Sequence, residues 1–335
     1  MIGIIANPAS GKDIRRLVAY GTVFNNQEKV NIVRRILLGL AAAGVKEAVY
    51  MPDYYGIVPN AIDGLHSEHH LAMEIHALDM KLTGTQIDSF HAAQEMNRLK
   101  VGCIMTLGGD GTNRLVAKGC GDIPLLPVST GTNNVFPNMV EGTTAGLAAG
   151  VLACGKADST RSLKPSKKVL IYKNGQLVEI ALIDAVVLKD IFIGSRAVWD
   201  VETLRQAIVT RGEAHNIGIA SIAGNLMPIG SMDPKGLVIE FTSEKKDLLA
   251  PIAPGLIVPV GIKHYRSVEI DERIHLACHD CAVCHGCVIA LDGEREIEIK
   301  REDEVIMQLS MDGPQVVDVN EALRTAVENG YSRCL

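Results

Sequence analysis

The sequence predicts an α/β protein of two domains, with a Rossmann-like parallel sheet in the first part and a β-rich second part. The chain has 335 residues, of which 47% are hydrophobic, so it is long enough to bury the cores of two domains. Up to about residue 155, apolar runs of strand length alternate with helical patterns, which is typical of a parallel sheet covered by helices. Short apolar runs dominate beyond that point. We therefore expect an α/β domain over 1–155 and a β-rich domain over 156–335.

The elements of the first domain follow from the spacing of apolar residues and from the residues that stop each run. The expected strands are residues 2–6, 46–51, 70–75, 101–107 and 123–128. The expected helices are residues 30–43, closed by Gly44, then 86–99, a helix-compatible segment at 113–118, and 143–153, closed by Gly155.

The second domain begins with a predicted hairpin. Strands at 168–172 and 176–180 flank Asn174 and Gly175, a pair that favours a type I′ turn. A helix is expected at 198–210, followed by strands at 216–222, 236–241, 256–262, 273–277, 288–291 and 305–309. A last helix, at 320–328, could return to the first domain at a place that the sequence does not specify.

Composition restricts the partners and the compartment. A net charge of -6 without a run of five like charges argues against a nucleic-acid or anionic-membrane partner. No apolar run reaches membrane-spanning length, and the first residues lack the charged start of a signal peptide. Eight cysteines in a chain without export features indicate a reducing compartment. We therefore expect a cytoplasmic protein, and we expect it to form a homo-oligomer.

A glycine-rich turn with one carboxylate follows the predicted strand at 101–107. Gly108, Gly109 and Gly111 surround Asp110, and Thr112 follows. Backbone amides and the start of a helix bind phosphate at such a turn. Because Asp110 would repel a bare phosphate, it implies a divalent cation or a donor hydroxyl, and this combination indicates phosphoryl transfer. The alternative is that Asp110 only caps the following helix.

A second strand-to-helix turn is NPASGK at 7–12, with Lys12 or Arg15 in position to neutralise an anion. It lacks the ends of a P-loop, since Ala6 and Asp13 stand in place of Gly and Ser/Thr, and no GxGxxG fingerprint surrounds residues 108–111. A solvated, basic first turn of a helix is the alternative interpretation.

Three segments together, NPASGK at 7–12, LGGDGT at 107–112 and PVSTGTNN at 127–134, resemble the superfamily that joins NAD kinases with diacylglycerol and sphingosine kinases. The resemblance implies an α/β domain and a β-rich domain between which ATP and a phosphoryl acceptor meet. It assigns Asp110 to catalysis. It also assigns the following residues to nucleotide and phosphate binding: Asn7, Gly11, Lys12, Gly108, Gly109, Gly111, Thr112, Thr130, Gly131, Thr132 and Asn133.

The second half of the chain extends the resemblance. Residues 181–186 resemble the NAD-kinase strand that carries an Asn and an acidic residue, 221–225 lie where NAD kinases have a Gly/Ser/Thr-rich loop, and 291–294 resemble an Asp-Gly element. The acceptor-side residues implied are Asp184, Gly224, Asn225 and Asp292. Within the superfamily, residues 4–17 and 290–297 are most similar to the acetoin catabolism protein X group.

The implied function is an ATP-dependent small-molecule kinase, with ATP and Mg²⁺ as cofactors and NAD as a further candidate ligand. Ile183 replaces the Asn of NAD kinases, and the Gly224-Asn225 segment lacks the character of their loop. These departures weigh against NAD as acceptor and favour a small soluble hydroxyl compound or another dinucleotide. The alternative function is a nucleotide or dinucleotide sensor without transfer activity, which the loss of Asn at position 183 supports.

Four cysteines, Cys278, Cys281, Cys284 and Cys287, are separated by two residues each. This spacing permits a zinc site. An iron–sulfur site is the second alternative, but the run lacks the C-x3-C-P ending of the bacterial motif. A cysteine-rich loop that enters the next strand is the third. A metal-linked redox protein would depend on this run alone.

Overall fold

The computed structural model describes residues 1–11, 20, 24–66, 72–131, 133–189, 200–276 and 286–331. The strands are β1 (Ile2–Ala6), β2 (Glu47–Tyr50), β3 (Glu74–Ala77), β4 (Ile104–Gly108), β5 (Leu125–Ser129), β6 (Leu163–Pro165), β7 (Lys168–Lys173), β8 (Gln176–Ala181), β9 (Asp184–Leu188), β10 (Leu204–Val209), β11 (Lys235–Phe241), β12 (Leu248–Ala253), β13 (Leu256–Val260), β14 (Ile262–Glu269), β15 (Arg273–His275), β16 (Cys287–Leu291), β17 (Glu294–Ile299), β18 (Val305–Ser310) and β19 (Gln315–Val317). The helices are α1 (Asn26–Ala43), α2 (Ile57–His66), α3 (Ile87–Arg98), α4 (Asp110–Gly119), α5 (Gly142–Ala153), α6 (Ser159–Ser162), α7 (Ile219–Leu226) and α8 (Val319–Glu328).

The first domain is built on a mostly parallel sheet with the strand order β3-β2-β1-β4-β5-β19-β6. β1 pairs in parallel with both β2 and β4, so the direction in which the chain adds strands reverses between β1 and β4. The loops that follow these two strands diverge at such a point and leave a crevice at the carboxyl edge of the sheet. The two glycine-containing turns predicted from the sequence lie on that edge.

Side chains alternate along the buried strands, so each strand contributes apolar residues to both faces of this sheet. Ile4 and Met105 face the layer that contains α1, α2, α5 and α8, whereas Ile5 and Ile104 face α3 and α4. Successive strand residues point to opposite faces, so a continuous apolar run is what a sheet covered on both sides requires. The expected fold class is therefore confirmed.

Helices α1 and α5 approach each other at backbone distance. Gly142, Gly146 and Gly150 recur every four residues along one face of α5, and a Cβ on Gly146 would overlap the carbonyl oxygen of Ile36 in α1. Residues four apart share a helix face. The small-residue composition of this helix is therefore a packing requirement.

Antiparallel sheets form the second domain. Six strands lie in the order β14-β11-β10-β9-β16-β17, four in the order β15-β18-β7-β8, and β12 pairs with β13. Val187 and Ile208 from the larger sheet pack with Ile171 and Met307 from the smaller one. On its other face the larger sheet packs against α7 and the β12-β13 hairpin. The predicted β-rich character is confirmed.

The second domain is an insertion within the first. After the β-rich part, β19 returns to pair with β5 and β6 in the first sheet, and α8 packs on α5. The two chain crossings are adjacent, since Ser166 Oγ donates to the carbonyl of Pro314 over 2.7 Å. Residues 156–165 and 315–331 thus belong to the first domain, unlike the division expected at residue 155. The last helix does return to the first domain, where Tyr331 Oη donates to Ala42 O over 2.9 Å.

Two predicted elements of the second domain are wrong in type. The expected helix at 198–210 contains the strand β10, in its part that the structure describes, and the expected strand at 216–222 overlaps the helix α7. The buried parts of these segments are the short apolar runs 207–209 and 219–222, and a short buried run does not reveal its period. The hairpin is confirmed, with positive φ at Asn174 (52°) and Gly175 (77°).

We expect Gly146→Ala to lower the free energy of unfolding by about 1–3 kcal/mol, because the added methyl group forces α1 and α5 apart. Urea denaturation would measure this change. Thr144→Ala, on the exposed face of the same helix, is the control and should change stability by less than about 0.5 kcal/mol. Equal effects of the two substitutions would contradict the packing role of Gly146.

Candidate functional site

The turn after β4 is held by a buried asparagine. Asn113 Nδ2 donates to the carbonyl of Gly109 over 2.9 Å, and Asn113 Oδ1 accepts from Thr106 Oγ1 over 2.7 Å. Gly109 precedes α4 without a side-chain cap, so the first amides of α4 are not capped by the residue before them. Such amides, together with the helix dipole, favour an anion.

Asp110 is the first residue of α4, and its carboxylate contacts a different segment of the first domain. Phe136 N donates to Asp110 Oδ1 over 2.7 Å, and Val135 N donates to both carboxylate oxygens over 3.1 Å. The alternative in which Asp110 caps its own helix is therefore wrong, since Gly109 occupies that position. The two amides fix the orientation of the carboxylate at the crevice between β1 and β4.

A buried lysine shapes the turn after β1. Lys29 is 0% exposed, and its Nζ donates to the carbonyl oxygens of Asn7 (2.8 Å), Pro8 (3.3 Å) and Ser10 (2.7 Å). A buried ammonium group requires such acceptors. Because one cation binds three carbonyls of this turn, the turn is wrapped around the side chain of Lys29 in α1.

Side chains join this turn to its neighbours. Asn7 Nδ2 donates to Thr112 Oγ1 over 2.8 Å, and the hydroxyl groups of Ser10 and Thr130 lie 2.9 Å apart. Gly11 packs against Thr130, whose carbonyl oxygen would lie 2.8 Å from a Cβ at position 11. The structure thus brings together three of the predicted phosphate-binding segments. Lys12 and Thr132 lie outside the described residues.

The segment after β5 closes the same crevice. Ser129 Oγ donates to the carbonyl of Gly131 over 2.8 Å and accepts from Asn134 Nδ2 over 2.8 Å. A Cβ on Gly109 would lie 2.8 Å from Asn134 Oδ1, so this segment packs directly on the turn after β4, with Gly108 at the end of that strand. Asn133 faces the second domain.

The second domain contributes a buried aspartate. Asp292 is 8% exposed and accepts from the amides of Leu182 (3.0 Å), Ile183 (2.7 Å) and Asp184 (3.2 Å). Burial raises the pKa of the Asp292 carboxyl to about 6, although Arg114 and these amides act in the opposite direction. The amide of Asp292 in turn donates to Asp184 O over 3.0 Å, so the two acceptor-side aspartates form one unit.

Residues of both domains line a small cleft of about 40 Å³. They include Asp110, Asn133, Val135, Ile183, Asp184, Ile217, Gly218, Ile219, Asp292 and Gly293. Glu294 reaches the turn from the second domain, since its Oε1 would lie 3.2 Å from a Cβ on Gly111. A larger cleft, of about 930 Å³, lies elsewhere in the second domain and contains none of these carboxylates. The smaller cleft is the candidate site, because Asp110 of the glycine-rich turn after β4 lines it.

Two arginines that motif matching missed lie near these carboxylates. Arg114, four residues after Asp110, is 1% exposed, and its Nη1 lies 3.2 Å from Glu179 Oε2. Arg211 stacks on the ring of Phe136, with 5.0 Å between Cζ and the ring centroid. The four-residue spacing from Asp110 could have predicted Arg114, because it places both on one side of α4. No sequence signal indicated Arg211.

Two opposing effects act on the pKa of the Arg211 guanidinium. Burial lowers the pKa of its guanidinium, whereas the carboxylates of Asp110, Asp292 and Glu213 raise it. Thr210, the preceding residue, donates from its amide to Ile183 O over 2.8 Å and from its hydroxyl to Leu182 O over 2.7 Å. The segment that holds Asp292 therefore also anchors Arg211.

Two of the expected acceptor-side residues do not reach the cleft. Gly224 and Asn225 lie in the second half of α7, and the lining comes from residues 217–219 at its start. Gly224 packs against the backbone of Glu213, which a Cβ would overlap, and Asn225 Nδ2 donates to Ser221 O over 2.8 Å. The expected loop is a helix, so both residues have packing contacts here.

Cys278, Cys281 and Cys284 lie outside the described residues, and Cys287 begins β16, so the zinc site stays a prediction. Among the residues that the structure does describe, no three His, Cys, Asp or Glu side chains form a group that could hold a metal ion. Within the same residues, no helix combines the length and apolar character needed to cross a membrane.

The raised pKa of Asp292 predicts a pH dependence of stability. The Asp292 carboxyl has a pKa of about 6 in the folded protein and an ordinary pKa of 3.8. Its protonated form therefore stabilises the fold, fully below about pH 3.8, and this contribution is lost as the pH rises through 6. Relative to Asp292→Asn, the wild type should lose up to about 3 kcal/mol of unfolding free energy between about pH 4 and 7. Denaturation at several pH values would measure it, and a constant difference would contradict it.

The chain is similar to several known proteins and protein domains. A family model described as the ATP-NAD kinase N-terminal domain matches residues 2–157, and one described as the acetoin catabolism protein X C-terminal domain matches residues 142–312. Two solved structures from Bacillus anthracis str. Sterne, described as candidate diacylglycerol kinases, cover 94% of this chain and 96% and 97% of their own, at 13% and 14% identity and TM-scores of 0.45 and 0.40.

A curated relative matches the whole chain. The acetoin catabolism protein X of Cupriavidus necator is 36% identical over 351 aligned positions, which cover 100% of this chain and 94% of the relative. The two family models together span both structural domains. The chain therefore belongs to the acetoin catabolism protein X family, whose N-terminal domain is of the ATP-NAD kinase type.

Proposed function

We propose that the protein transfers a phosphoryl group from ATP to the hydroxyl group of a small soluble acceptor in the cleft between its domains. The position of Asp110 is the observation that carries this proposal. Its carboxylate lies at the start of α4, beside the crevice between β1 and β4, and lines the cleft with Asp184 and Asp292 of the second domain. The kinase-type N-terminal domain of the family supports a phosphotransferase.

The donor side of the cleft fits nucleotide phosphates. The start of α4 has no side-chain cap, and the turn after β1 lies beside it through the bond between Asn7 and Thr112. Two strand-to-helix turns that converge in this way offer several amide donors to one anion. Mg²⁺, held by a carboxylate of the cleft together with the nucleotide phosphates, would supply charge neutralisation, since it is usually bound by one or two carboxylates and substrate oxygens.

Asp110 has the geometry of a positioned proton acceptor. The amides of Val135 and Phe136 hold its carboxylate in one orientation, and the side chain lines the cleft where an acceptor would enter. In phosphoryl transfer, a fixed carboxylate orients the attacking hydroxyl and accepts its proton. The two amide contacts restrict the motion of that carboxylate, which is how positioning contributes to rate.

The acceptor side favours a small molecule. Ile183 is 1% exposed and packs with Phe136, Leu182 and Ala220, so this position offers no hydrogen bond to a dinucleotide. The relative's name refers to acetoin, a compound with one hydroxyl group, which makes acetoin the first acceptor to test.

A sensor without transfer activity is the second candidate. The observation that favours it is that the Asp110 carboxylate accepts hydrogen bonds from the backbone amides of Val135 and Phe136. A carboxylate held by the protein's own backbone can shape a nucleotide site without reacting. Turnover, measured with labelled ATP and a panel of acetoin, NAD and small polyols, separates the two functions.

We expect Asp110→Asn to reduce turnover by at least about 10²-fold, because it removes the proton acceptor while it keeps the volume of the side chain. Steady-state kinetics with ATP and the best acceptor would measure the loss. Metal-free nucleotide should bind at least as tightly as to the wild type, since a negative charge near the phosphates is gone.

Asp318→Asn is the matched control for this substitution. Asp318 caps α8 and accepts from Glu321 N over 3.1 Å, and it is not among the residues that line the cleft. Its replacement should leave turnover unchanged within about twofold, because Asn caps a helix nearly as well as Asp. Full activity of Asp110→Asn would contradict the catalytic role, and a wild type that binds ATP but transfers nothing would favour the sensor.

Ile183→Asn tests the acceptor class. If the acceptor is small, an amide at this buried position should cost about 1–3 kcal/mol of stability without tightening NAD binding. Calorimetric titration with NAD and urea denaturation would measure the two quantities. Ile183→Val, which keeps the position apolar, is the control. A tenfold or greater gain in NAD affinity would show instead that the site is built for a dinucleotide.

A further inference from the structure

The cleft concentrates negative charge. Asp110, Asp184 and Asp292 all line it, and Glu294 reaches the turn at Gly111. A phosphoryl group that moves from donor to acceptor carries its own negative charge through this region. Backbone amides at the start of α4 offset part of that charge on the donor side. A side-chain cation close to the acceptor is therefore the group that the chemistry requires.

The other cations close to the cleft, among the residues that the structure describes, are committed to protein acceptors. Arg114 is 1% exposed and lies between Glu179 and Asp292, while Lys118 Nζ donates to Glu179 over 2.8 Å. Lys29 is 0% exposed and binds the carbonyls of the turn after β1. A cation without solvent access and with its own acceptors cannot reorganise around a ligand without leaving those acceptors unpaired.

Arg211 differs from these cations because its Nη2, which is buried, has no hydrogen-bond partner within the described part of the chain. Stacking on Phe136 leaves the edge of the guanidinium, and not its face, in position to donate. Phe136 also donates its amide to Asp110, so one residue orients both the carboxylate and the cation.

We infer that Arg211 is the residue of the second domain that binds the phosphoryl group in transfer, an inference that rests on the proposed phosphotransfer. The planar guanidinium suits two parallel hydrogen bonds to a phosphoryl group. Its position on the second domain means that the cation and the phosphate-binding turns come from opposite sides of the cleft. The ligand class is a phosphate monoester or a phosphoanhydride.

Binding of inorganic pyrophosphate, without nucleotide or metal, tests Arg211 apart from turnover. Calorimetric titration should show that Arg211→Gln binds pyrophosphate about tenfold or more weakly than the wild type, because it removes charge-assisted hydrogen bonds. Arg273→Gln is the matched control, since Arg273 also stacks on an aromatic ring, Tyr172, at 5.8 Å. Unchanged pyrophosphate affinity in Arg211→Gln would overturn the inference.

A second test uses the wild-type protein, so it does not depend on whether Arg211→Gln folds. Phenylglyoxal modifies accessible arginines, and peptide mass spectrometry reports each position. Pyrophosphate should protect Arg211 from modification by at least threefold and leave Arg273 unchanged. Equal labelling of Arg211 with and without pyrophosphate, or no labelling in either case, would overturn the inference.

The two proposals fail separately. Phosphoryl transfer with unaltered kinetics in Arg211→Lys and no protection of Arg211 would remove the inference and leave the proposed function intact. Protection of Arg211 in a protein that transfers no phosphoryl group to any acceptor would keep the anion site and remove the proposed function.

Discussion

The contact between Arg114 and the carboxylates of the second domain is the interaction on which the cleft depends. Arg114 belongs to α4, the helix that begins with Asp110, and its partners Glu179 and Asp292 belong to the inserted domain. Burial of such a group is costly unless it is paired, and removal of one partner leaves an uncompensated charge. The pairing therefore sets the distance between α4 and the second domain, and with it the width of the cleft.

The carboxylate of Asp292 transmits this constraint into the second domain. Asp292 accepts from three successive amides at 182–184, and Thr210 donates back to that segment. Asp184 and Arg211 are thus positioned by the backbone that surrounds Asp292, while Phe136 joins Arg211 to Asp110. The cleft is one hydrogen-bonded unit across two domains, so a change on one side alters the placement of groups on the other.

Sequence motifs predicted those parts of the site that are contiguous with a strand-to-helix turn. Asp110 was singled out because glycines and a carboxylate at the end of a strand have a direct chemical meaning, whereas the roles of Asn7 and Thr112 followed from the family resemblance. Lys29 and Arg211 act across long sequence separations, which no local pattern records. Gly224 and Asn225 were assigned to a loop from their position in the family resemblance, and the structure places both in the helix α7.

The return of β19 to the first sheet has a consequence for synthesis. β5 pairs with β4 on one side, but its other edge pairs with β19, which the ribosome makes only after the second domain. An unpaired strand edge is a site at which other chains can add. The first domain consequently carries an open edge throughout the synthesis of the insertion, and its sheet is completed only when the segment Gln315–Val317 emerges.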